Sequence, residues 1–237
     1  ILFFLILFFM SIILTGERSN SIKAIMGLVI IIYSYFRFNF KSFSIIVIIF
    51  FTIMIIINNN NYIKDRFVTS IIHSGKTFSS SFHHGSPHDN PSGNPYAKLY
   101  RSGYDVFKNY PYFGVGNKNY QVESCTNKFY QRGIHIMIND YVCMTHPHQI
   151  YFELLAEHGI LGTFFILVVF SFLLIRGFKV NIEEKNFIGI GCFCYLFTMF
   201  TPLIPSGSFF TDYNISLFFI NLSIMYASSK KLNIFNK

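Results

Sequence analysis

Two histidines on either side of a single proline, His146 and His148, are the groups in this chain best suited to acid–base chemistry. They open the stretch THPHQIYFELLAEHGILG at 145–162, where Pro147 suits a first helical turn and the apolar run that follows predicts a helix. His148 is therefore expected at a helix N-terminus, whose positive end disfavours imidazolium and keeps a neutral imidazole available as a base. The alternative role for His148 is helix capping. For His146 a structural role is favoured over a catalytic one.

Two carboxylates and two glycines follow in the same stretch. Glu153 and Glu157 are spaced i, i+4 and share another face of the predicted helix, where they orient the helix or pair with a basic loop residue. Gly159 and Gly162 would let a neighbouring helix approach closely.

The elements that must position these residues are membrane helices. Of the 237 residues, 52% are hydrophobic and only 13% are charged, where a soluble domain carries about 25% charged residues. A water-soluble single domain is thereby excluded. Because the chain begins inside an apolar block without an initiator Met, we expect a fragment of a longer protein. Stretches nearly free of charge predict six spans, at 1–15, about 20–36, 42–63, 158–175, 186–211 and 213–229.

Basic residues set the predicted orientation, because cytoplasmic loops hold the excess of Lys and Arg. Three groups fall on one side of six alternating helices: Arg37 with Lys41; Arg176, Lys179 and Lys185; Lys230, Lys231 and Lys237. The predicted organisation is an all-α polytopic membrane protein with three spans in 1–63, a large and partly helical periplasmic loop at 64–147, an interface helix running into three spans at 148–229, and a cytoplasmic tail at 230–237.

Within the outer loop, aromatic residues at helical spacing after Pro95 predict a short amphipathic helix that ends at Pro111 and lies against the membrane surface. Gly114 and Gly116 then permit a tight turn, which is favoured over a phosphate-binding loop. The loop carries nine Lys and Arg against five Asp and Glu, which suits an anionic lipid headgroup or a merely solvated segment. A disulfide between its two cysteines, Cys125 and Cys143, is expected in an oxidising periplasm.

The 145–162 stretch resembles the signature of the O-antigen ligase and O-antigen polymerase superfamily, in which a His-x-His-Asn element leads into Leu-x-Glu-x-Gly-x-x-Gly. PYFGVG at 111–116 resembles the Pro-x-x-Gly-[Val/Ile]-Gly turn of that superfamily, and TGERS at 15–19 resembles its short Arg-containing outer turn. Cys125 and Cys143 are placed like a cysteine pair of the ligase-like branch. The resemblance covers essentially the whole chain, as the C-terminal part of a longer protein. Two departures are Gln149 in place of Asn and Gln121 where ligase-like relatives often carry Arg.

This resemblance implies a metal-independent, cofactor-free membrane glycosyltransferase that transfers an undecaprenyl diphosphate-linked glycan to a lipid A–core acceptor. It implies a multi-pass protein of the bacterial inner membrane, surrounded by membrane lipid, with its site facing the periplasm and no nucleic acid partner. The implied catalytic residues are His148, Arg18 and Arg101; the implied substrate-binding residues are Arg66, His146, Gln149 and Lys118; the implied structural residues are Cys125, Cys143, Gly114, Gly116, Glu157, Gly159 and Gly162. Arg18 has an alternative role as an interfacial anchor.

Three alternative functions stay open at this point. An O-antigen polymerase would join repeat units instead of transferring them to the core. A transporter or flippase of lipid-linked sugars would be expected to carry ionisable residues near mid-membrane, which the predicted spans lack. A structural scaffold would not depend on His148 or Arg18.

Overall fold

The computed structural model describes residues 2–36, 40–69, 72, 95–125 and 142–233. Within these ranges every regular element is a helix, so the all-helical fold class is confirmed. The predicted outer loop at 64–147 lies partly outside the described residues, since 70–71, 73–94 and 126–141 are not among them.

The described helices are numbered here in chain order. They are α1 (Leu2–Leu14), α2 (Arg18–Phe36), α3 (Phe40–Asn59), α4 (Asn61–Lys64), α5 (Pro95–Asn109), α6 (Tyr120–Cys125), α7 (Ile150–Glu183), α8 (Phe187–Met199) and α9 (Asp212–Ala227). A short π-helix, Asp65–Thr69, follows α4 directly.

Helix α7 is the one element in the described part of the chain that is long and apolar enough to cross a membrane by itself. Only 17% of its most apolar 18-residue segment is buried within the protein, so most of the surface of this segment is open to its surroundings. Helix α3 is long and apolar enough only together with the helical segment after it, and the axes of the two segments are bent by 108°. The arrangement of six spans therefore stays a prediction.

The chain divides into two compact units. The first unit comprises Ile1–Ile72, Leu173–Thr201 and Phe218–Lys237, and the second comprises His73–Phe172 and Pro202–Leu217. Helices α7 and α9 each contribute residues to both units. The sequence-based boundaries at 63, 147 and 229 describe membrane topology, and they stay predictions beside this division by contacts.

In the first unit, α1, α2 and α3 share an apolar core. Its buried residues are Phe9, Ile13, Leu28 and Ile32, and packed against them are Ala24, Ile25, Ile45, Ile46, Ile49 and Ile53. Each of these helices carries branched or aromatic side chains on several faces, so each can pack against a neighbouring helix on more than one face.

Helix α8 packs against α2 at a position without a side chain. The Cys194 thiol lies 3.6 Å from the carbonyl oxygen of Gly27. Cys192 and Cys194 are both free and buried, where cysteine acts as a small apolar residue.

In the second unit, α5 confirms the helix predicted after Pro95. Its buried face includes Tyr100 and Val106. Val106 packs with Tyr120 of α6 and Ala156 of α7, and the Tyr100 ring stacks on Phe152 at 5.4 Å. This face is therefore covered by protein, and the expectation that α5 lies against the membrane surface stays a prediction.

A disulfide joins Cys125, at the end of α6, to Cys143, as expected for this pair. The neighbouring backbone is tied to α5 as well, because the Val142 N–H donates to Ser102 Oγ at 2.9 Å. Ser102 Oγ is also 2.8 Å from the Tyr120 hydroxyl. These bonds connect the segment leading to His146 with α5 and α6.

Candidate active site

A break in α7 lies within the second unit. Gly159 has φ 62° and ψ −170°, values that no α-helical residue adopts and that glycine tolerates best. Such a conformation removes the helical hydrogen bonds from the N–H groups of Ile160 and Leu161 to the carbonyls of Ala156 and Glu157. Unless other groups replace them, four backbone polar groups are left unpaired beside an apolar helix.

The turn at 111–116 supplies all four replacements. Val115 N–H donates to Ala156 O at 3.0 Å, and Gly116 N–H donates to Glu157 O at 2.8 Å. In return, Ile160 N–H donates to Pro111 O at 2.8 Å and Leu161 N–H donates to Tyr112 O at 3.3 Å. The backbone of the turn is thus the partner of the broken helix.

The glycines of both segments are required by this close approach. A Cβ atom at Gly114 would collide with the Glu157 backbone, and one at Gly159 would collide with the backbone of Tyr112. Gly114 and Gly116 also have φ of 68° and 93°. Gly162 is predicted to let a neighbouring helix approach. Instead, a Cβ there would lie 2.7 Å from the His158 side chain of the same helix.

Glu157 adds a side-chain bond to the same junction. Its Oε2 accepts from the backbone N–H of Lys118 at 2.9 Å, and the residue is 2% exposed. The predicted partner, a basic loop residue, is therefore present, but it binds through its backbone. Lys118 is predicted to bind substrate. The structure places its ammonium on the surface, 3.3 Å from Asp212 Oδ1.

His148 lies immediately before the capping residue of α7. The helix begins at Ile150, later than expected, because the Gln149 side chain caps it: Gln149 Oε1 accepts from the N–H groups of Tyr151 at 2.8 Å and Phe152 at 3.1 Å. Pro147 consequently precedes the helix, where it packs against Gly103 of α5.

The backbone of His148 is held in a sparsely populated conformation. Its φ is 56°, which costs a non-glycine residue of order 1–3 kcal/mol and is found disproportionately at functional sites. The His148 carbonyl accepts from the N–H of Ser206 at 2.9 Å, so a residue of the 202–211 loop stabilises this conformation.

The imidazoles of His146 and His148 lie side by side, with ring centroids 4.1 Å apart. Tyr96 of α5 packs on His148 with a centroid distance of 6.3 Å. Burial lowers the pKa of His148 below its ordinary value of 6.5. Burial first, and then the neighbouring His148, lower the pKa of His146, while the Ser206 backbone acts in the opposite direction. Both rings are therefore neutral at physiological pH. The cause is burial, whereas the sequence suggested the positive end of the helix.

Thr145 completes the immediate surroundings of the histidine pair. Its hydroxyl lies 2.9 Å from Nδ1 of His146, while Nε2 of His146 is buried without a hydrogen bond to the described residues. Within the part of the chain that the structure describes, no group of three or more His, Cys, Asp or Glu residues is placed to hold a metal ion.

The loop at 202–211 is the contribution that sequence reasoning missed. Glu153, which is 1% exposed, accepts hydrogen bonds from the Ser208 hydroxyl and from the Phe209 N–H, the latter at 2.9 Å. Of the two roles predicted for Glu153, these bonds suit orientation of the helix, since both donors are neutral and neither belongs to a basic residue. Ser206, Gly207 and Ser208 resemble any polar turn in sequence, and no local pattern connects them to His148 or Glu153.

Arg101 lies on α5, next to Tyr100. Its Nε is 3.6 Å from Asp105, which also pairs with Lys108 at 2.7 Å. The helical repeat places Arg101 about 100° around α5 from Tyr100. Arg101 therefore belongs to the same unit as His148 but is part of a cluster of charges on another face of the helix.

Arg18 and Arg66 belong to the first unit. Arg18 is the first residue of α2, directly after the turn in which Gly16 has φ 73° and packs beside the Tyr62 ring. Tyr62 precedes Arg66 by about one helical turn, and Arg66 Nε is buried without a hydrogen-bond partner among the described residues. The structure thus brings the turn that carries Arg18 next to the segment that carries Arg66. A meeting of either arginine with His148 stays a prediction.

The comparisons with known proteins agree with these motifs. A family described as O-antigen ligase matches residues 3–167, which include the 15–19 turn, the 111–116 turn and the histidine pair. No curated protein and no solved structure matches the chain. The matched range covers most of the chain, and the chain belongs to the O-antigen ligase family, a family of membrane-embedded, glycosyltransferase-like enzymes of lipopolysaccharide biosynthesis.

Proposed function

We propose that this enzyme transfers a glycan from undecaprenyl diphosphate to a lipid A–core acceptor, with His148 as the general base. The observation that carries the proposal is the neutral, partly buried imidazole of His148, held at a strained backbone position by the Ser206 N–H. A positioned base of this kind contributes a factor of about 10²–10⁴ to a rate.

The proposed reaction is a single displacement. The acceptor hydroxyl oxygen attacks the anomeric carbon of the donor sugar while His148 takes the hydroxyl proton. The bond from that carbon to the diphosphate oxygen breaks, and its electron pair leaves with the diphosphate. One displacement without a covalent enzyme intermediate inverts the configuration at the anomeric carbon, and no metal ion is required by this scheme.

The leaving diphosphate needs cationic partners, and Arg18 with Arg66 are proposed for this role. Guanidinium groups bind phosphate oxygens in bidentate geometry. The Nε of Arg66 is buried and has no hydrogen-bond partner among the described residues. This supports the assignment, because leaving a buried polar group unpaired costs about 1–3 kcal/mol unless a ligand provides a partner. Arg101 is the third candidate, and Asp105 would have to share it with the substrate.

His146, Gln149 and Lys118 are proposed to support substrate binding around this base. His146 offers the buried Nε2 atom toward a hydroxyl group, Gln149 fixes the start of α7, and Lys118 adds positive charge to the rim of the second unit.

The location proposed for the reaction is the periplasmic face of the inner membrane. Arg176 and Lys179 lie near the C-terminal end of α7, and Lys185 follows it. Because positive residues mark the cytoplasmic ends of spans, the N-terminal end of α7, with His148, is assigned to the opposite side.

Complementation of a strain that lacks the enzyme tests the proposal. His148→Ala should leave glycan on its carrier lipid and abolish the long ladder on a lipopolysaccharide gel. Lys231→Ala is the matched control, because it removes only an exposed ion pair with Glu183, which contributes little to stability. Immunoblots should show equal amounts of both variants.

Each outcome has a definite meaning. A core that carries a single repeat unit would identify a polymerase instead of a ligase. A normal ladder from the His148→Ala strain, at equal protein level, would remove the base assignment.

A further inference from the structure

The turn at 111–116 exposes two large aromatic side chains at its tip. Tyr112 is 66% exposed and Phe113 is 78% exposed, although neighbouring Gly114 and Val115 are partly buried. Exposing rings of this size to water forgoes roughly 1.5–3 kcal/mol each that burial would supply. The backbone of the turn is fixed by four hydrogen bonds, so the turn itself cannot withdraw from this position without breaking the junction with α7.

The polarity of α7 changes at the level of this turn. Before the break, the helix carries the buried polar residues Glu153 and Glu157. After it, Ile160, Leu161, Phe164 and Phe165 are apolar and exposed. They belong to α7, the one helix in the described part of the chain that is long and apolar enough to span a bilayer by itself.

Hydrogen bonds place the aromatic tip level with the first turn of that apolar stretch. Ile160 N–H binds Pro111 O at 2.8 Å and Leu161 N–H binds Tyr112 O at 3.3 Å. The tip therefore begins where the apolar part of α7 begins. Tyr and Trp are enriched at this level in membrane proteins because their rings are amphipathic, and Phe is common on apolar surfaces that enter the headgroup–acyl boundary.

A second segment of the same unit has the same character. Tyr213, at the start of α9, is 73% exposed, and its neighbour Asp212 pairs with Lys118 just after the turn. An exposed ion pair beside exposed aromatic residues is the composition expected of a protein surface at the level of lipid headgroups.

We propose that the 111–116 turn is a membrane-interface anchor, which inserts Tyr112 and Phe113 at the headgroup–acyl boundary of the bilayer. The occupant of this aromatic surface is bilayer lipid. The anchor is joined to the break in α7. Nine helical residues, or about 13 Å of helix, separate this break from the start of α7 beside His148. The anchor therefore sets the distance of His148 from the bilayer. This inference does not depend on the reaction proposed above.

The chain contains no Trp, so a single introduced Trp reports its own surroundings. Protein in which Phe113→Trp is the one Trp would be reconstituted into phosphatidylcholine vesicles whose acyl chains are brominated at defined depths. We expect blue-shifted emission and a several-fold loss of intensity with lipids brominated near the headgroup. Phe165→Trp, in the apolar stretch, should be quenched best by deeper bromines, and Met144→Trp, exposed near the start of α7, should stay in water and be quenched by iodide.

Other outcomes would overturn the proposal. Phe113→Trp emission that is quenched by iodide and not by bromolipid would place the tip in water. Blue emission without bromolipid quenching would indicate a protein partner, and a blue shift only after addition of lipid-linked glycan would indicate the substrate chain. Tyr112→Trp is the second reporter, so that a defect of one substituted protein does not decide the result.

Discussion

At the scale of single residues, His148 combines three properties that suit a base. It is neutral because burial lowers its pKa, it is fixed because its carbonyl is bound by Ser206, and it is next to a second neutral imidazole. Glu153 acts on His148 indirectly, since it binds Ser208 and Phe209 of the loop that holds His148.

The lowered pKa of His148 predicts the acid side of the pH–rate profile. The base acts only when neutral, so activity should persist below pH 6.5 and fall as the pH drops through the lowered pKa. Because the rings of His146 and His148 are in contact, the observed limb belongs to the pair. Tyr96→Ala, which uncovers His148, should move this limb upward toward 6.5.

Tyr104→Ala provides the control for this profile, since Tyr104 is a partly exposed tyrosine of the same helix whose ring packs on Phe107. Initial rates of glycan transfer by membrane preparations across pH would measure both variants. An acid limb at or above pH 6.5 in the unsubstituted enzyme would contradict the role given to burial.

At the scale of elements, the interlock between the 111–116 turn and the break in α7 organises the second unit. Two glycine motifs that are distant in the sequence form one backbone-to-backbone junction, which explains why each requires glycine. The break is compatible with an apolar helix only because its polar groups are satisfied by the turn.

Alanine substitutions test this junction. Gly114→Ala and Gly159→Ala should each destabilise the protein by at least about 1–2 kcal/mol, since each adds a Cβ at positive φ and against another backbone segment. Thermal unfolding in detergent measures the effect.

Gly191→Ala is the matched control, because nothing lies within 4 Å of a Cβ at that position in α8. It should be neutral or slightly stabilising, since alanine is preferred over glycine in a helix by about 1 kcal/mol. Equal melting temperatures for all three variants would mean that the junction is not tight.

At the scale of the whole molecule, the proposed reaction combines residues that are distant in the sequence. Arg18 is proposed for the leaving diphosphate and His148 for the base. If Arg18 and His148 serve the same displacement, their effects cannot be independent, because a step that has lost its base gains little from leaving-group stabilisation.

A double-mutant comparison addresses this point. His148→Ala should lower the transfer rate by about 10²–10⁴-fold. Adding Arg18→Ala should lower the rate by much less than Arg18→Ala does in the unsubstituted enzyme. Arg18→Lys should restore little, because an ammonium cannot bind phosphate oxygens in bidentate geometry. Losses that multiply fully would contradict this coupling, because they would show that the two residues contribute independently.

Local patterns in the sequence determined much of this protein. Apolar blocks predicted an all-helical protein, the spacing of aromatic residues after Pro95 predicted α5, and Gly114 and Gly116 predicted a turn at positive φ. The cysteine pair and the histidine pair were also identified from residue type and position. These features depend on neighbours within a few residues, which the sequence displays directly.

Only the tertiary structure decided how α7 breaks and what completes the site. The helix begins at Ile150 because Gln149 caps it, it breaks at Gly159 because the 111–116 turn replaces its lost hydrogen bonds, and His148 is held by Ser206. The break and the position of His148 have the same physical reason: a buried backbone group must find a partner, and here the partner comes from a distant segment. Periodicity within α7 cannot reveal a partner that lies elsewhere in the chain.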